Sequence, residues 1–175
     1  RPVRLTNVAD VGARTRDLDA QVARALHVGP QLALVMVGAN DITHLDRPQT
    51  SVRLLAEAVT RLRAAGCQVV VGTCPDLGTL RPVAQPLRAY ARRASRELAE
   101  AQAAAVAAAG GRPVELGALL GPTFEASPDA YFSADQFHPS ATGYAACAAA
   151  LLPSCLAALG LGSDAAVDAL PATES

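Results

Sequence analysis

Hydrophobic positions along the chain follow two kinds of pattern in turn. Residues 32–37, Leu-Ala-Leu-Val-Met-Val, form an unbroken apolar run that stops at Gly38, and residues 69–72, Val-Val-Val-Gly, form another. Runs of this kind predict strands of a parallel sheet covered on both faces, where neither side has to be polar. Residues 2–8, with Val3, Leu5 and Val8, read as an opening strand, and residues 113–116 as a short later one. Between them, apolar residues recur at helical spacing. In residues 13–27, Leu18, Val22 and Leu26 fall at four-residue steps while Arg14, Arg16, Asp17 and Asp19 face away. In residues 48–65, Val52, Leu55, Val59 and Leu62 repeat the pattern until Gly66 stops it. Residues 88–109 are helical, with Tyr90, Ala94, Leu98 and Ala101 on one side and Arg92, Arg93, Arg96, Glu97 and Glu100 on the other; Gly110-Gly111 ends them. Residues 117–137 read as loop, and residues 139–159 as a last helix interrupted or ended near Pro153. The order of strand and helix predicts an open parallel α/β sheet over residues 1–160, followed by a flexible tail, 161–175.

Composition narrows the function classes. The chain has 175 residues, 51% hydrophobic and 18% charged, which suits one globular domain. Its 15 basic residues are all Arg and meet 16 acidic ones, for a net charge of -1. No basic field exists to hold nucleic acid or an anionic membrane. The best apolar stretch, residues 145–152, falls short of the roughly 20 residues a membrane span needs and is halted by Pro153, so no transmembrane segment is expected. Cys67 and Cys74 sit at opposite ends of one strand, and Cys147 and Cys155 are about 12 Å apart along a helix, so neither sequential pair can bridge. A Cys67–Cys155 disulfide and four buried free thiols both stay open, and the redox compartment with them. No metal-ligand cluster appears, a Lys-bearing phosphate loop is impossible, and no cofactor is expected.

In parallel α/β sheets ligands bind beyond the carboxyl ends of the strands, so the turns there carry the candidate chemistry. Gly12, in Val11-Gly12-Ala13-Arg14-Thr15, stands at the mouth of a helix where its backbone N–H can point at an anion. Asn40, in Gly38-Ala39-Asn40-Asp41, offers a side-chain N–H₂ to the crevice, with Asp41 expected to brace the turn. Asp135, three residues before His138 in Asp135-Gln136-Phe137-His138-Pro139-Ser140, can fold back to accept the Nδ1–H bond and leave Nε2 free as a general base. His27 and His44 lack such company and read as surface and loop residues.

These three stretches resemble, in order and over nearly the whole chain, the second, third and fifth sequence blocks of the SGNH (GDSL-type) hydrolases. The resemblance implies a three-layer flavodoxin-like parallel sheet with helices on both faces and an esterase or lipase-like acyl hydrolase acting on a small acyl ester or a lipid. It also implies His138 as general base, Asp135 as its orienting partner, and Gly12 and Asn40 as oxyanion donors. The chain departs from the family at the first block: it has no Gly-Asp-Ser, the source of the nucleophile. Ser51, Ser95, Ser133 and Ser140 offer no substitute, since none is expected on a strand-to-helix turn that exposes its hydroxyl. In the strand order 2-1-3-4-5 the absent strand is the central one, between residues 3–8 and 32–37. Leaving its neighbours unpaired costs roughly 1–3 kcal/mol per buried group. The expectation is therefore that the first strand and the nucleophile belong to a segment upstream of Arg1. The alternative is a non-catalytic binding or scaffold protein of the same fold. Phe124, Tyr131, Phe132 and Phe137 gather ahead of His138, either as an acyl pocket or as packing of a long loop.

Overall fold

A computed structural model of the chain describes residues 2–161, so the expected tail lies, apart from Leu161, outside the described residues. Three parallel strands form one sheet in the order β1 (Leu32–Met36), β2 (Gln68–Gly72), β3 (Arg112–Val114). The alternation of side chains along β2 sorts the core into two layers. Val69 and Val71 point to one face, where they meet Leu18 and Val22 of α1 (Leu18–Leu26), Leu55, Val59 and Leu62 of α3 (Pro48–Ala64), and Val106 of α4 (Leu87–Ala108). Val70 points to the other, against Leu116 of α5 (Leu116–Ala126) and Leu151 of α7 (Ala141–Ala158). The result is the three-layer parallel α/β arrangement expected. Each of these buried side chains contributes about 1.5–3 kcal/mol by leaving water.

The strand ends that face the site are tied together by Gln102 of α4, which is fully buried. Its Nε2 donates to the Val37 carbonyl at 3.2 Å and its Oε1 accepts from the Cys74 N–H at 2.8 Å, so one amide closes the ends of β1 and β2. Gly38 makes room for it. Its φ of +130° suits only glycine, and a Cβ there would come 2.9 Å from the Cys74 Cβ. The chain then turns directly into the short helix α2 (Ala39–Thr43).

Several expectations need correction. Residues 2–8 are not a strand: they form no ladder, and Val3 and Leu5 are about nine-tenths exposed (90% and 87%). An extended segment becomes a strand only against a partner edge, and these residues reach none. β1 is not covered on both faces either. Ala33 and Val35 join the core, but Leu34 and Met36 are 52% and 50% exposed because α7 packs over β2 and β3 instead. The first helix starts at Leu18 after a 3-10 turn at Thr15–Asp17, since Ala13 and Thr15 are held elsewhere by hydrogen bonds. The stretch read as loop contains α5 and α6 (Pro128–Tyr131); Leu116, Leu120 and Phe124 keep helical spacing through Pro122, and Pro128 begins the second helix where a missing N–H costs nothing. The last helix is capped by Ser140, whose hydroxyl accepts from the Gly143 N–H, and it runs on through Pro153 to Ala158. By length and a mean hydropathy of 1.4, α7 could cross a membrane; its inner face, at Cys147 and Leu151, packs on the protein instead. All four cysteines are free, and Cys67 and Cys155 lie in core layers on opposite faces of the sheet.

Candidate active site

The loop entering α7 shapes itself. Asp135 Oδ1 accepts from the backbone N–H groups of Phe137 and His138, both at 2.9 Å, and from the Ser133 hydroxyl at 2.7 Å. Gln136 takes a left-handed conformation, φ 53°, to close this turn. The other carboxylate oxygen, Oδ2, accepts the His138 Nδ1–H bond at 2.6 Å. Four donors, with the His138 contact the strongest, hold the Asp135 carboxyl well below the ordinary carboxylate range. With Nδ1 engaged, Nε2 is the ring nitrogen left for other chemistry. Behind the loop, Pro139 bridges to Phe132, and the Ser140 N–H donates to the Tyr131 carbonyl at 2.8 Å. Gly143 lies against that carbonyl and against Pro139, leaving no room for a side chain.

Gly12 lies in the turn after residue 10, which leads into the cavity wall at Ala13. Gly12 has φ +75° and is exposed. Two neighbours in α2 hold the residues that follow it. The Asn40 Nδ2 donates to the Ala13 carbonyl at 3.0 Å, which uses one of its two hydrogens. The Asp41 carboxylate, 2% exposed, accepts the Thr15 N–H at 3.1 and 3.2 Å and the Ser51 hydroxyl at 2.7 Å. Asp41 thus braces the turn as expected. Arg14 adds an ion pair to Asp46 at 3.2 Å.

Ala13, Asn40 and His138 line one cavity of about 270 Å³ at the carboxyl ends of the strands, whereas Gly12 is not among its lining residues. The walls are apolar: Leu120, Phe124, Phe132 and Phe137 all contribute. Tyr131 instead stacks on Phe124, with ring centroids 5.1 Å apart. Such a site can take a proton at a nitrogen while offering N–H groups to a developing negative charge beside an apolar group. Among the described residues no serine or threonine hydroxyl bonds to the His138 ring. Ser51 bonds to Asp41, Ser133 to Asp135, Ser140 to the Ala130 carbonyl, and the fully buried Ser95 to Arg92 and Leu77. His27 and His44 each turn Nδ1 to a carbonyl one helical turn back and stay outside the cavity. Two buried groups behind the site, Gln102 and Asp76, went unread in the sequence. Asp76 lines the cavity and pairs with Arg96 at 3.0 Å, yet Pro75-Asp76-Leu77 reads as an ordinary turn, and a lone Gln in an Ala-rich helix carries no pattern.

The family model described as the GDSL-like lipase/acylhydrolase family matches residues 2–146. The GDSL-like esterase Rv1075c of Mycobacterium tuberculosis (strain ATCC 25618 / H37Rv) is 52% identical over 145 residues, covering 82% of this chain and 46% of that protein. The chain therefore spans about half the length of that relative. Among solved structures, LAE5, an alpha/beta hydrolase enzyme from the metagenome of Lake Arreo, Spain, superposes with a TM-score of 0.67 at 21% identity, over 87% of this chain and 71% of that one. A mutant of Axe2, an acetyl-xylooligosaccharide esterase of Geobacillus stearothermophilus, gives 0.67 at 17% identity, over 82% and 68%. Other Axe2 structures are of catalytic mutants at a serine, an aspartate and a histidine, the aspartate three positions before the histidine. At these identities the structural likeness speaks to the fold.

Proposed function

The chain belongs to the GDSL-like lipase/acylhydrolase family, and from that premise we propose that it is the acid–base and oxyanion part of a serine hydrolase of carboxylic esters, with the serine on a segment upstream of Arg1. One observation carries the reading: His138, oriented by Asp135 at 2.6 Å, shares an apolar cavity with the Asn40 amide. In the reaction the His138 Nε2 takes the serine proton as the hydroxyl attacks the ester carbonyl. The negative charge that forms on the carbonyl oxygen is met by the free Asn40 Nδ2–H and the Gly12 N–H. His138 then returns the proton to the leaving alcohol, and a water molecule repeats the sequence on the acyl-enzyme. Asp135 stays ionised throughout and stabilises the imidazolium. The apolar walls suit the acyl part of a small ester. The spacing of catalytic aspartate and histidine in Axe2 supports the assignment of Asp135 and His138.

Two features support an upstream strand. The outer edge of β1 pairs with nothing among the described residues, and Leu34 and Met36 lie uncovered on the sheet face beside it. A strand there would end next to the Gly12 turn and His138, where a nucleophile is required.

The test is covalent labelling by a fluorophosphonate, run on residues 1–175 alone and on the protein extended upstream. Labelling only in the extended protein, abolished by His138→Ala, is the expected result. Labelling of a serine within residues 1–175 overturns the assignment. The lack of a hydroxyl partner for His138 favours one other reading, a binding protein of the same fold. An extended protein that binds esters in the cavity without labelling or hydrolysis would establish that instead.

A further inference from the structure

Five of the 15 arginines fall within residues 81–96, and no acidic residue occurs between Asp76 and Glu97. That segment includes the first turns of α4, which begins at Leu87 with no acidic residue in its first turn. Cationic side chains are disfavoured there, because the exposed N–H groups of a helix N-terminus already act as roughly half a positive charge. The arginines nevertheless converge. Arg81, Arg88 and Arg92 line a pocket of about 280 Å³ together with Gly78, Thr79, Gln85 and one carboxylate, Glu125, which Arg92 engages.

Arg92 is the fixed wall of this pocket. Its guanidinium donates to the Gly78 carbonyl at 3.0 Å and to Glu125 at 2.9 Å, and its side chain lies flat over Gly78, where any Cβ would collide with it. Glu125 and the buried Asp76 balance the charges of Arg92 and Arg96. Arg81 and Arg88 form no ion pair among the described residues, so the pocket lining sets three guanidinium groups against the single carboxylate of Glu125. Thr79 lines both this pocket and the cavity of His138, and the 3-10 turn Leu77–Thr79 that carries it is locked by Asp76, which accepts the Gly78 N–H at 2.8 Å. The pocket and the cavity of His138 therefore share one wall, at Thr79.

We propose that the pocket of Arg81 and Arg88 is an anion subsite that takes a carboxylate or phosphate-type oxyanion. Its volume of about 280 Å³ admits one such group. Where the anion is carried by the substrate, the enzyme would favour esters bearing a negative group near the scissile bond; that extension rests on the ester-hydrolase reading, while anion binding does not.

Titration of the full chain with inorganic phosphate and with succinate at constant ionic strength, followed through the arginine Nε–H resonances, tests the site. Saturable shifts at Arg81 and Arg88 are expected. Arg88→Ala and Arg81→Ala should each weaken binding about tenfold, the order expected for a charge-assisted pair, while Arg53→Ala, whose guanidinium pairs with Glu57 on α3, leaves it unchanged. Absence of saturation, or equal loss in the Arg53 variant, overturns the proposal. In the extended protein, the ratio of kcat/KM for mono(4-nitrophenyl) succinate to that for 4-nitrophenyl acetate identifies the source. A preference for the anionic ester that falls about tenfold in Arg88→Ala assigns the anion to the substrate; phosphate binding without that preference assigns it to a free anion. Failure to hydrolyse either ester counts against the hydrolase reading, and the titration decides the subsite by itself.

Discussion

Asp135 owes its low pKa to four hydrogen bonds, that of His138 first, which favour its ionised form. The stability it contributes is therefore complete above the unfolded value of 3.8 and disappears as pH falls through the lower folded value. Its side-chain carboxyl carbon should show no titration between about pH 5 and pH 3, where an ordinary aspartate passes its midpoint near 3.9. Carbon-detected NMR measures this directly, and a midpoint near the ordinary value would mean that the turn does not hold in solution. In the proposed mechanism Asn40 acts on a charge that appears only during reaction. In the extended protein, Asn40→Ala should lower kcat by about two orders of magnitude with little change in KM, read from steady-state hydrolysis of a 4-nitrophenyl ester. Thr15 presents the opposite case. Its backbone N–H is bonded to Asp41, but its hydroxyl is buried with no partner among the described residues. Thr15→Val keeps the shape and removes an unmet polar group. A gain of about 1 kcal/mol is expected, visible as a melting point raised by roughly 2–4 °C.

Among the elements, Gln102 joins β1 to β2 at the rim of the site. Gln102→Ala strands the Val37 carbonyl and the Cys74 N–H in the interior and opens a cavity. A loss of about 2–4 kcal/mol in a denaturant melt is expected, larger than for alanine at the exposed face of the same helix. Nothing in the sequence around residue 102 announces this. The long-range pairing of one amide with two strand ends has no periodic signature, whereas the strands of residues 32–37 and 69–72 and the helix of residues 48–64 were legible because each repeats an apolar spacing. The misread loop at residues 117–137 has a related cause. Gly117, Gly121, Pro122 and Pro128 all signal turns locally, but apolar contacts of Leu120 and Phe124 with the cavity wall outweigh that propensity. The Asp135-His138 pair was legible because its chemistry is contained in four consecutive residues, and Asn40 because a polar residue directly after a buried strand is conspicuous. Asp76 was not, because its importance lies in arginines 16 and 20 positions away.

For the molecule as a whole, the open edge of β1 and the exposed Leu34 and Met36 form a surface fit for strand addition. Helix α7, which has no charged residue, adds Leu152, 53% exposed. Residues 1–175 on their own should therefore self-associate with concentration in sedimentation velocity. Supplying the upstream segment should return a monomer and raise the melting temperature. A strictly monomeric chain at all concentrations would remove the argument for a strand beside β1.

The turn that holds Asp135 and His138 draws all four of its carboxylate bonds from residues 133–138. The Gly12 turn instead depends on Asn40 and Asp41, reached across 27 and 26 positions of sequence. The Asp135–His138 turn is thus a transplantable cassette, and the Gly12 turn is not. Exchanging residues 133–140 between members of this fold should carry the histidine's geometry with it, whereas an exchange of residues 10–15 would succeed only if an acidic residue and a hydroxyl equivalent to Asp41 and Ser51 came along.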